Sequence, residues 1–113
     1  MSKLQECIDT YEAEFKKIDV KFDSDLLRAV TKGCGPSIYK ADSAKVAASD
    51  KAEMDRVKQN FLIKKLGLDD DEKLDKGLAA VVEKIGKSNR NKYRAMVYYL
   101  LVKHFKKEDV YAS

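Results

Sequence analysis

Tryptophan is absent from this 113-residue chain, proline occurs once and glycine five times. So small a supply of turn formers excludes a collagen-like chain, a disordered linker and a turn-rich β-sandwich. Cysteine is scarce too. Cys7 and Cys34 stand far apart and match no CxxC spacing, which excludes a zinc ribbon and a thioredoxin-like pair. A disulfide between them stays open at this point, and two reduced, buried thiols in a cytoplasmic chain are the simpler expectation. The longest apolar run, Ala95 to Val102, falls far short of the roughly 20 residues that a membrane span needs, so no membrane partner is expected. The opening Met-Ser-Lys-Leu-Gln-Glu-Cys carries no apolar core of a secretory leader. At 12.8 kDa the chain has material for one domain and not for two independent cores.

What is present reads as helices. Leu4, Ile8, Tyr11, Phe15 and Ile18 recur at helical spacing, with Cys7 widening the stripe, and predict an amphipathic helix over residues 3–18. Asp23 is a suitable N-cap for a second helix over 24–32, with Phe22 and Leu27 placed as a hydrophobic staple and Gly33 as its left-handed stop. Residues 33–49 are irregular, with Gly35-Pro36 as a turn signal and Pro36 able to open one helical turn through Tyr39. Connections of that length are functional or packed by their own side chains, and Ile38, Tyr39 and Val46 offer anchors.

Asp50 with Glu53 has capping-box spacing for a third helix over 50–66, ended by Gly67. Asp69 and Glu72 repeat that spacing for a fourth, whose stripe of Leu74, Leu78, Val81, Val82 and Ile85 ends at Gly86. The acidic run there suits a helix N-terminus and lacks the alternation and glycine of a calcium loop. Ser88 reads as the cap of a fifth helix over 89–106, apolar around almost its whole circumference in the middle. The expected fold is therefore all-α: a single domain of residues 1–113, five helices, the fifth at the centre. Part of the fifth, Tyr99 especially, is a candidate to face a second copy of the chain.

Charge is lopsided. Net charge is only +4, too little to argue for nucleic acid by itself, yet Lys84 to Lys107 holds eight basic residues and no acid. Four of them, Lys87, Arg90, Lys92 and Arg94, surround Ser88. If a helix starts there, unpaired amides and the positive dipole end would favour an anion, making Lys87, Ser88, Arg90, Lys92 and Arg94 the anion-binding candidates. The competing reading is a solvated face around a cap, with Arg90 and Arg94 paired to acids of another helix. A helix-turn-helix fits poorly, because Lys87 and Lys92 fall where apolar contacts are usual.

Catalytic signals are sparser. His104, the one histidine, reads as a residue at the edge of the core, and no HExxH, GxSxG, P-loop or GxGxxG pattern occurs, so neither a metal nor a cofactor is expected. Cys34 is a reactive-thiol candidate because Gly-Cys-Gly-Pro-Ser sets it in a loop before a possible helix start. A buried, inert cysteine is the alternative.

Three stretches carry a resemblance: Cys34-Gly35-Pro36-Ser37-Ile38-Tyr39, Asn60 to Leu68, and Ser88 to Ala95 followed by Tyr98-Tyr99-Leu100-Leu101. Together they resemble a family of small, uncharacterised bacterial proteins classed as a domain of unknown function. The resemblance spans nearly the whole chain and implies a cytoplasmic bacterial protein, with no activity, cofactor or catalytic residue to carry over. The functional expectation is a small non-enzymatic binding or interaction protein, working with a protein partner or a second copy. The alternatives are a nucleic-acid-associated protein that contacts phosphates through Lys87–Arg94, and an enzyme using Cys34 as nucleophile.

Overall fold

The computed structural model describes residues 3–40, 44–47, 50–86 and 92–111. Its helices are α1 (Lys3–Lys17), α2 (Ser24–Gly33), α3 (Lys51–Val57), α4 (Glu72–Ile85) and α5 (Arg94–His104). Single 3₁₀ turns occupy Gly35–Tyr39 and Glu108–Val110, and a π-helical stretch, Lys58–Ile63, continues α3. Among the described residues no strand forms, and extended pairing is limited to one antiparallel bridge between Lys45 and Tyr93. The all-α expectation holds.

The centre is α5, because its sequence has almost no polar face to offer to water. Of its 11 residues, Ala95, Met96, Val97, Tyr99, Leu100, Leu101 and Val102 are buried. It packs against α2 on one side and α4 on another. Phe15 of α1 reaches it through a tilted ring contact with Tyr99 at 5.3 Å, and Phe61 of the π stretch stacks on Tyr98 at 3.9 Å. Tyr99 is only 1% exposed and its hydroxyl accepts the Asp23 amide at 2.7 Å. The expectation that Tyr99 faces a second copy is therefore wrong: its ring fills the subunit's own core, and its oxygen satisfies the amide at the start of α2.

Several boundaries differ from the sequence reading, each for a local reason. Gly33 does not stop α2 in a left-handed turn. The helix includes it, and the positive φ (+67°) falls at Gly35. Residues 50–66 do not form one regular helix: after Val57 the turns widen, with the Lys64 amide bonding back five residues to the Gln59 carbonyl and Leu66 to Phe61. Asp71, not Asp69, caps α4, accepting the Lys73 amide at 2.8 Å, while Asp70 pairs with Lys58 at 3.1 Å. The largest correction concerns α5. It begins at Arg94 rather than just after Ser88, because Tyr93 is extended and the chain there pairs with 44–46: Val46 N–H donates to Lys92 O and Arg94 N–H to Ala44 O, both at 2.8 Å.

Candidate functional site

The basic segment comes apart. Lys87, Ser88 and Arg90 lie outside the described residues. Lys92 is buried, 6% exposed, and Arg94 turns inward to donate from Nη2 to Glu53 Oε1 at 2.8 Å and from Nη1 to the Tyr98 hydroxyl at 3.1 Å. Arg94 thus behaves as the competing reading had it, paired to an acid of another helix. Glu53 also holds Arg56 through its other oxygen at 2.8 Å. Burial alone would push the Glu53 carboxyl up, but the hydrogen bonds and charges of both guanidinium groups outweigh it and hold the carboxyl below the usual carboxylate range.

Arg94 opens instead onto a cleft of about 350 Å³. Three parts of the chain build it. The end of α2 and the turn after it supply Gly33, Cys34 and Ser37; the π stretch and the turn after it supply Asn60, Phe61 and Lys65; α5 supplies Arg94 and Tyr98. These are the same three stretches on which the family resemblance rests. Tyr111, from the C-terminal turn, forms a further wall. Volume does not single this cleft out, since one of about 340 Å³ lies between α4 and α5 beside Lys84, Lys103 and His104. Its chemistry does.

That chemistry is rich in donors. The Tyr98 oxygen receives an Arg94 N–H and so has its own proton left to give; no acceptor for it, or for the Tyr111 hydroxyl, exists among the described residues. Burial pushes both phenols up, with Arg94 pulling Tyr98 partly back, so both stay protonated and remain donors. Lys65 is exposed, forms no ion pair among the described residues, and sits 5.3 Å from the centre of the Tyr111 ring. Cys34 is half-buried, and burial pushes its thiol up to about 12 despite the opposing pull of Arg94. It is held as the thiol, the form that does not act as a nucleophile. Cys7 is likewise a free thiol.

The remaining candidates sit elsewhere. His104 is exposed at the last residue of α5, its ring edge-on to Phe105 at 4.8 Å. Among the described residues no group of three His, Cys, Asp or Glu side chains is placed to hold a metal. No helix is long and apolar enough to cross a membrane.

Sequence reasoning singled out Cys34 and Arg94 but missed Asn60, Phe61, Lys65, Tyr98 and Tyr111 as their neighbours. The π stretch carries no composition signal that would have announced it. Tyr111 follows a helix end at which Lys106, not glycine, takes the left-handed conformation (φ 57°), so the chain's return toward α2 was invisible. Ring contacts such as Phe61 on Tyr98 depend on tertiary packing alone.

Comparison with known sequences agrees with the geometry in one respect: the matched region contains every part of the cleft but the Tyr111 wall. A family model described as a protein of unknown function (DUF2853) matches residues 10–109. Among curated proteins none matches the sequence. The chain therefore belongs to that family, whose description assigns no activity.

Proposed function

We propose that this protein is a non-enzymatic binding domain whose site is the cleft between α2, the π stretch and α5, and that it takes a small anion there. One observation carries the reading: protonated hydroxyls of Tyr98 and Tyr111, the Asn60 amide and the Lys65 ammonium line one small cleft, and neither hydroxyl has an acceptor among the described residues. A site of donors calls for a ligand of acceptors, and the Lys65 ammonium favours negative charge. A cleft of about 350 Å³ lies in the range of small-ligand sites. Binding rather than turnover is favoured because the thiol of the cleft, Cys34, is held protonated.

The nucleic-acid reading has less support, since Lys92 and Arg94 are turned inward and cannot track a phosphate backbone. The test is a titration of the ¹⁵N-labelled protein with small carboxylates and with inorganic phosphate. Saturable shifts confined to the amides of residues 33–37, 60–65 and 94–98, and abolished by Lys65→Met, are expected. Shifts spread over the basic surface, falling steeply with added salt, would point to a polyanion instead.

A further inference from the structure

This inference rests on the small-anion reading of the same cleft and adds the ligand's charge and shape. Glu53 meets two guanidinium groups, Arg94 through one oxygen and Arg56 through the other, each at 2.8 Å. No carboxylate lines the cleft among the described residues, and Lys65 forms no ion pair there. Lys65, Arg94 and Arg56 thus stand against the one carboxylate of Glu53, and among the described residues two positive charges are left over. Arg94 and Glu53 are both mostly buried, so salt screens their field less than it would at the open surface.

The ring faces are already used inside the protein. Phe61 is buried and stacked on Tyr98, the Arg94 guanidinium lies 5.7 Å from the Tyr98 ring centre, and Lys65 lies over Tyr111. What the cleft offers a ligand is therefore its polar edges. Those edges come from three parts of the chain: Asn60 and Lys65 from the π stretch and the turn after it, Tyr98 from α5, and Tyr111 from the C-terminal turn. A carboxylate presents two oxygens on one edge, whereas a tetrahedral oxyanion presents oxygens on every side and suits donors that converge from several elements.

We infer that the cleft is a site for a doubly charged tetrahedral oxyanion, the chemistry shared by inorganic phosphate, sulfate and the phosphate end of a small monoester. Its oxygens accept from Tyr98, Tyr111, Asn60 and Lys65, and the Arg94 charge lies behind Tyr98.

Isothermal titration at fixed ionic strength with sulfate, inorganic phosphate, methyl phosphate and acetate tests it. At pH 8 sulfate and phosphate are expected to bind at least tenfold tighter than acetate. From pH 6 to pH 8 phosphate affinity should rise about fivefold as its second proton leaves, while sulfate affinity stays constant. The groups of the cleft keep their charge over that interval, because Glu53 is held low while Cys34 and both phenols are held high. Arg56→Gln, at an exposed side chain outside the lining, leaves Glu53 to neutralise Arg94. It should weaken sulfate at least threefold and acetate less, since a charge acts twice as strongly on a dianion, with circular dichroism unchanged. Methyl phosphate binding as tightly as phosphate supports the inference with a monoester as ligand; methyl phosphate at least tenfold weaker supports it with the free ion. Acetate binding as tightly as sulfate, or phosphate affinity indifferent to pH, overturns the dianion and leaves the anion reading standing. Sulfate binding indifferent to both Lys65→Met and Arg56→Gln overturns the assignment to this cleft. No saturation by any probe removes the anion reading, and this inference with it.

Discussion

At Glu53 one carboxylate serves two guanidinium groups, and its side chain is only 14% exposed. Charge-assisted bonds of this kind are worth about 1.5–3 kcal/mol, so Glu53→Gln should lower the stability at pH 7 by about 2 kcal/mol. The pH dependence has a defined sign. Because the folded protein holds this carboxyl below its unfolded value, its contribution is complete above the unfolded value and disappears as pH falls through the lowered one. Urea midpoints of wild type and Glu53→Gln should therefore converge in acid; a constant gap down to pH 3 would contradict the pairing. Cys34 works in the opposite direction. Its thiol resists ionisation in the folded state, so stability should decline above pH 9, the thiol's ordinary value, as the unfolded chain alone loses the proton. Cys34→Ala should flatten that alkaline decline, and alkylation of Cys34 in native protein at neutral pH should be slow until denaturant is added. Sequence showed Cys34 and Arg94 as candidates. It did not show that they share a cleft, because their meeting depends on the extended Tyr93 and the pairing of the chain there with 44–46, which delay the start of α5.

Among the elements, helix stops were legible only where glycine marks them. Gly67 and Gly86 both adopt positive φ, +71° and +109°, as their positions after helical patterns predict. The ends of α1 and α5 use the same reversal without glycine. After α5, Lys107 N–H donates to Val102 O at 2.9 Å and Lys106 N–H to Lys103 O at 3.3 Å, with Lys106 left-handed between them; Asp19 does likewise after α1. A left-handed residue with a Cβ costs about 1–2 kcal/mol. Lys106→Gly should thus stabilise the protein by about 1 kcal/mol, visible as a raised thermal midpoint. Gly77, inside α4, behaves in the contrary way. Alanine there would gain about 1 kcal/mol of helix propensity. Its Cβ, however, would lie 2.4 Å from Phe105 Cζ and 3.1 Å from His104 Cδ2. Displacing packed rings costs about 1–3 kcal/mol, so Gly77→Ala is expected to be neutral to destabilising in urea melts. The π widening after Val57 could not have been read, since Lys-Gln-Asn-Phe-Leu-Ile is equally compatible with a regular helix.

For the whole molecule, hydrophobic period was enough to fix the class, the number of helices and the central place of α5. Each apolar stripe needed a partner, and one helix with no polar face could satisfy several. Period says nothing about the connections, and in this protein the connections build the cleft: the turn after α2, the unwinding after α3, and the hook after α5.

The single bridge of Lys45 with Tyr93 closes a long excursion of chain at its base, with α3, the π stretch and α4 all inside it. Such a clasp ties the two ends of the enclosed segment together at the start of α5. In native-state deuterium exchange the amides of Val46 and Arg94, which donate across it, should share one opening free energy with the interior of α4, and the slowest part of this protein should end at that seam.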